Sequence, residues 1–82
     1  MNARDELRRE LDGSLTSLIN SISATEIDQK NRELLAEFIE NFEYGVALEW
    51  LHSLILDRKI QLSSEQDQEM RRLAQRMKID LR

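Results

Sequence analysis

Apolar residues recur at helical intervals along most of this chain. Leu7, Leu11, Leu15, Leu18 and Ile22 follow one another at steps of 4, 4, 3 and 4, which puts them on one face of a helix from about Ala3 to Ile22. Asn2 is placed to cap its start. Gly13 lies inside the stripe, costs about 1 kcal/mol against alanine, and marks a site for a bend or break. Ser23-Ala24-Thr25-Glu26 then interrupts the pattern with the spacing of a capping box, as does Thr25 with Asp28. A second helix is expected near Glu26 to Asn41. Its core sector holds Leu34, Leu35, Phe38, Ile39 and Phe42, while Glu33, Glu37 and Glu40 fall together on the opposite face.

Gly45 interrupts next, and the left-handed conformation open to glycine suits a tight helix-to-helix connection there. The third helix begins at Tyr44 or Val46 and ends near Arg58. Ala47, Leu48, Leu51, Leu54 and Ile55 form its inner sector, with Val46, Trp50, Ser53 and Asp57 in a separate row beside it. Ser63 with Gln66 makes another capping box and Leu62 is placed to pack as its staple, opening a fourth helix from about Ser64 to Lys78. That helix buries Met70, Leu73, Ala74 and Met77. Arg71, Arg72, Arg76 and Lys78 near its end suit the helix dipole. The short connections between these stretches favour antiparallel neighbours. The pattern therefore predicts an all-α fold, one domain over residues 1–82, built as a small bundle of about four antiparallel helices.

Composition sharpens this. The chain has 82 residues, no Pro and no Cys, so disulfides and thiolate metal sites are excluded. Its 40% apolar content is too high for a disordered chain. No apolar run approaches a membrane span, and the charged N-terminal residues predict no signal peptide. So small a domain has room for one protein interface and little for a deep substrate cleft.

Chemistry has little to work with. His52 is the only histidine, no glycine-rich turn presents a nucleophile or cradles a phosphate, and no catalytic role is expected. Glu49 and His52 have the Glu-x-x-His spacing of di-metal bundles, but such sites need two of these motifs. No metal or cofactor is expected, and His52 reads as a partly buried histidine flanking the core. The basic residues Arg71, Arg72, Arg76, Lys78 and Arg82 share their segment with acids and no aromatic interleaves with them. With a pI of about 5.0, nucleic-acid binding is not expected.

Charge is more informative. The net is −4, and between Glu33 and Asp57 six acids occur without one Lys or Arg: Glu33, Glu37, Glu40, Glu43, Glu49 and Asp57. An acidic helix face is ordinarily just solvated. Here the self-repulsion is unrelieved, and Trp50, Val46 and Tyr44 bring apolar and aromatic groups beside the acids, the composition of a binding hot spot. The bland alternative is that Trp50 rims the core. Taken together, Glu33, Glu37, Glu40, Glu43, Tyr44, Val46, Trp50 and Asp57 read as a binding surface for a basic protein.

The segment Glu43-Tyr44-Gly45-Val46-Ala47-Leu48-Glu49 resembles the MafI-type immunity proteins of bacterial polymorphic toxin systems, including those of contact-dependent growth inhibition. The similarity runs from Leu34-Leu35 through Phe42 and Leu51 to Ile60, Leu62, Ser64-Glu65, Leu73-Ala74, Met77 and Ile79-Asp80. Phe42 departs from the pattern, standing where a small or polar residue would precede the turn. The resemblance implies a cytoplasmic antitoxin, a monomer that binds its cognate toxin domain 1:1. The toxin, commonly a nuclease, would be blocked by occlusion: the acids supply complementary charge, and Trp50, Val46 and Tyr44 the desolvated anchor. One other reading stays open, a small helical subunit that self-associates through Trp50 and Leu56; a helical DNA-binding regulator would show salt-sensitive duplex binding through the Arg71–Arg82 segment, and none is expected.

Overall fold

The computed structural model describes residues 3–81, in which four helices and no strand occur. They are α1 (Ala3–Ser21), α2 (Gln29–Glu40), α3 (Tyr44–Asp57) and α4 (Ser64–Arg76). The α1 and α3 helices each pack on every other helix, whereas α2 and α4 do not touch and so flank the α1–α3 pair on opposite sides. Cross-contacts fix the directions. Gln66 at the start of α4 donates to Ser21 at the end of α1, while Arg76 at the end of α4 reaches Glu10. Asp28, just ahead of α2, meets Arg58, just past α3. The α4 helix therefore runs antiparallel to α1, and α2 antiparallel to α3.

The predicted stripes form the core. Leu11, Leu15, Leu18 and Ile22 are buried with Ala47, Leu48, Leu51, Leu54 and Ile55 and with Met70, Leu73 and Ala74; Leu7, Leu62 and Met77 pack on them partly buried. Gly13 does not break α1, and the space beside it is open. The Ser63–Gln66 capping box forms reciprocally: Ser63 Oγ accepts from Gln66 N at 3.1 Å and Gln66 Oε1 accepts from Ser63 N at 2.8 Å. Asn2, the expected cap of α1, and Arg82 lie outside the described residues.

The structure differs from expectation at both ends of α2 and at the end of α4, which stops at Arg76 rather than Lys78. The second helix starts at Gln29, with Asp28 in the N-cap position, and not at Glu26. Residues 23–27 instead form a compact turn. Glu26 N and Ile27 N both donate to Ser23 O, and Ser23 Oγ accepts from Thr25 N rather than from Glu26 or Asp28. The turn drives Ile27 into the core, where it is completely buried. At the other end of α2, Gly45 is not left-handed; Phe42 is, at φ 61°. A Cβ at Gly45 would meet Ile79 Cδ1 at 3.2 Å, a contact that the end of that side chain would have to relieve by a few tenths of an ångström.

Phe42 belongs to a repeated device. In α2, α3 and α4 the residue after the C-cap is left-handed, and the next amide reaches back to close the helix. Glu43 N donates to Phe38 O at 2.8 Å, Ile60 N to Ile55 O at 3.0 Å and Ile79 N to Ala74 O at 2.8 Å. The left-handed residues are Phe42, Lys59 (φ 53°) and Lys78 (φ 55°), none of them glycine. The left-handed backbone takes Phe42 out of the core sector: it is 58% exposed, tilted against Tyr44 with the Arg8 guanidinium over its ring. A left-handed non-glycine residue costs about 1–2 kcal/mol, and glycine would return part of that gain through unfolded-state entropy. Lys59→Gly is therefore expected to stabilise the fold by roughly 0.5–1 kcal/mol. A urea midpoint that stays put or falls would show that Lys59 contributes more than its backbone strain removes.

Candidate partner-binding face

The inner sector of α3 is occupied by core residues, so its outer face is what the helix offers to solvent. That face carries Val46, Glu49, Trp50, Ser53, Leu56 and Asp57, all exposed. Three of these are large apolar side chains, with Val46 45%, Trp50 41% and Leu56 60% exposed. Trp50 is anchored on one side. Its ring meets Phe38 edge-on, 6.5 Å between centroids, and its Nε1–H donates to Asn31 Oδ1 at 3.1 Å.

Asn31 is in turn held by Asp28, whose Oδ1 accepts from Asn31 Nδ2 at 2.8 Å and from Arg58 Nη1 at 2.7 Å. These two hydrogen bonds, Asn31 first, hold the Asp28 carboxyl down at about 2 from the ordinary 3.8. Asp28 is thus ionised at neutral pH, and the relay Arg58–Asp28–Asn31 fixes the amide that fixes the indole. Sequence reasoning did not connect Asn31 or Asp28 to Trp50, because 19 residues separate the hydrogen-bonded pair.

The structure divides the eight predicted contact residues. Glu33, Glu37 and Glu40 lie exposed on α2, where Glu33 accepts from Gln29 and Glu40 borders a groove shared with Asp12, Thr16 and Arg32. Glu43 and Val46 border a second groove, with Glu49, Phe42, Arg76 and Lys78. Trp50 and Asp57 share a notch with Ser53, Leu54 and Leu56. Tyr44 is a correction: it is only 6% exposed, in the core, with its phenol pKa pushed up by burial and, secondarily, by Asp12. Tyr44 therefore serves the α2–α3 connection and leaves the contact set. Leu56, read earlier only as a self-association residue, and Glu49 join the face.

Ion pairing gives the face its character. Arg76 and Arg72 converge on Glu10, Arg72 also holds Glu69, Arg71 holds Asp67 and Arg58 holds Asp28. Hydrogen bonds from Arg76 lower the pKa of Glu10, and those from Arg72 lower that of Glu69. None of the ion pairs among the described residues reaches Glu33, Glu37, Glu40, Glu43, Glu49 or Asp57. The basic groups of α4 are occupied by carboxylates, and the acids of α2 and α3 make no ion pair among the described residues.

His52 is half-buried on the flank of α3, and no cluster of His, Cys, Asp or Glu able to hold a metal occurs among the described residues. No described helix is long and apolar enough to cross a membrane. No protein-family model matches the chain, and neither a curated protein nor a solved structure matches it.

Proposed function

We infer that the chain is an immunity-type inhibitor: a cytoplasmic, non-enzymatic protein that neutralises a basic toxin domain, most simply a nuclease, by stoichiometric occlusion through the outer surface of α2 and α3. One observation carries this reading. The acids of α2 and α3 make no ion pair among the described residues while the arginines of α4 are engaged by carboxylates, and α3 also carries Val46, Trp50 and Leu56 exposed to solvent. A nuclease holds its substrate in a positively charged cleft. An acidic helical surface matches that cleft in sign, speeds the encounter, and lets the apolar residues at its centre supply the desolvated contact.

The test begins with capture of a partner from the source lysate and continues with a single-turnover assay of that partner. A basic toxin domain that loses activity at a 1:1 ratio is the expected result. With that partner in hand, the double reversal Glu37→Lys, Glu40→Lys slows association roughly tenfold at low salt and leaves the fold intact. An association rate unchanged by the reversal would move the interface off α2. The exposure of Leu56 at 60% favours self-association as a second reading. Light scattering separates the two, since a stable dimer that buries Trp50 excludes the open binding face.

A further inference from the structure

The notch at the C-terminal end of α3 has a chemistry of its own. It is lined by Trp50, Ser53, Leu54, Leu56 and Asp57. The indole is held in place before anything binds, by Phe38 at its edge and by Asn31 on its N–H. The neighbouring cation in the chain, Arg58, is turned away to Asp28. Asp57, which makes no ion pair among the described residues, thus lines the same notch as an anchored indole and the aliphatic side chains of Leu54 and Leu56.

We propose that this notch is an arginine-recognition site, which seats one arginine side chain of the partner. The proposal rests on the inhibitor reading and deepens it by naming the anchor. A guanidinium is planar and weakly hydrated, so it stacks on an indole face and at the same time gives a carboxylate two parallel N–H donors. Its methylene stem covers apolar surface of the kind Leu54 and Leu56 present. An ammonium satisfies the charge of Asp57 but neither stacks as well nor bonds bidentately. An uncharged apolar side chain would leave Asp57 without an ion pair. Fixing the ring in advance lowers the ordering cost of binding, which is the role this assigns to the Asp28–Asn31 relay.

Trp50 is the only tryptophan in the chain, so tryptophan fluorescence reports on the surroundings of this one indole. The full-length protein is titrated with capped hexa-arginine and hexa-lysine peptides of equal charge. Hexa-arginine is expected to change the Trp50 emission saturably and to bind at least about threefold tighter than hexa-lysine. Asp57→Asn weakens hexa-arginine several-fold and removes the preference. Glu37→Gln, an acid outside the notch, weakens both peptides alike and keeps it. Trp50→Leu, followed by calorimetry, loses the preference while retaining charge-driven affinity.

Equal affinities for the two peptides, or an Asp57→Asn effect no larger than that of Glu37→Gln, would overturn the proposal. So would a shift of Trp50 emission with protein concentration in the absence of peptide, which would assign the notch to a second copy of the chain. The two levels fail separately. A captured toxin that binds Asp57→Asn and wild type alike leaves the inhibitor reading standing and removes the notch. Arginine selectivity with no toxin partner leaves the notch and removes the inhibitor reading.

Discussion

Replacing Leu51 by alanine is expected to remove about 2–5 kcal/mol of folding free energy, with the upper half of that range favoured by its position. Leu51 is completely buried at the middle of α3, one of the two helices that pack on all the others. Truncation there costs the lost transfer energy of the side chain plus the cavity that the surrounding helices cannot close without moving together. A domain of this length has a total stability of roughly 4–12 kcal/mol, so the variant stands close to unfolding. Urea denaturation followed by circular dichroism reads this as a fall in midpoint of more than about 1 M at unchanged slope. Leu56→Ala supplies the contrast five residues along the same helix: Leu56 is 60% exposed, and its truncation is expected to cost under about 0.5 kcal/mol. A Leu51 variant as stable as the Leu56 variant would mean that α3 does not lie at the centre of the bundle.

These two leucines mark what the sequence discloses. Periodicity separates Leu51 from the outer row, because a helix face is a local property that 3.6-residue geometry exposes directly. The same holds for the stripes of α1 and α4 and for the Ser63–Gln66 box, whose partners lie three residues apart. Periodicity fails where a helix ends. Phe42 continues the apolar sector of α2 on a helical wheel, yet the helix stops one residue before its C-cap and the left-handed backbone turns the ring outward. Nearness in sequence to Trp50 suggests an outward Tyr44, and the α2–α3 connection folds it into the core instead.

Helix starts are equally ambiguous when several polar residues compete. Ser23, Thr25 and Asp28 all have capping chemistry, and burial of Ile27 decides among them, a tertiary effect with no local signature. The candidate face was legible as charge, since the uncompensated acids are a fact of composition. Its division into separate grooves was not, nor was the pinning of Trp50 by Asn31, which needs α2 and α3 to be packed before it exists.

Arg32 is the residue whose role was least visible, and its replacement gives the second large effect. The α2, α3 and α4 helices close their C-terminal ends with a left-handed residue and a returning amide; α1 has no such residue and no basic residue in its last turn. Side chains meet its carbonyls instead: Ser21 Oγ donates to Leu18 O, Gln66 of α4 to Ser21 O, and Arg32 of α2 to Ile19 O. Arg32 Nη1 donates to Ile19 O at 3.2 Å, Nη2 to Ile22 O, and Nε to Ile27 O at 2.9 Å. One planar fork therefore holds the end of α1, the entry to the following turn and the exit from it, and places its positive charge at the negative end of the α1 dipole. Hydrogen bonds from a charged donor are worth about 1.5–3 kcal/mol each when shielded, less here because the side chain is only partly buried. Arg32→Met is accordingly expected to cost roughly 2–3 kcal/mol and to lower amide protection across residues 22–28 first, since that turn loses its support before the core does. Arg32→Lys keeps the charge but cannot reach three divergent carbonyls, and is expected to restore less than half of the loss. If lysine restored all of it, the dipole rather than the fork would be holding the end of α1, and the turn that buries Ile27 would have to be stabilised by its own hydrogen bonds to Ser23.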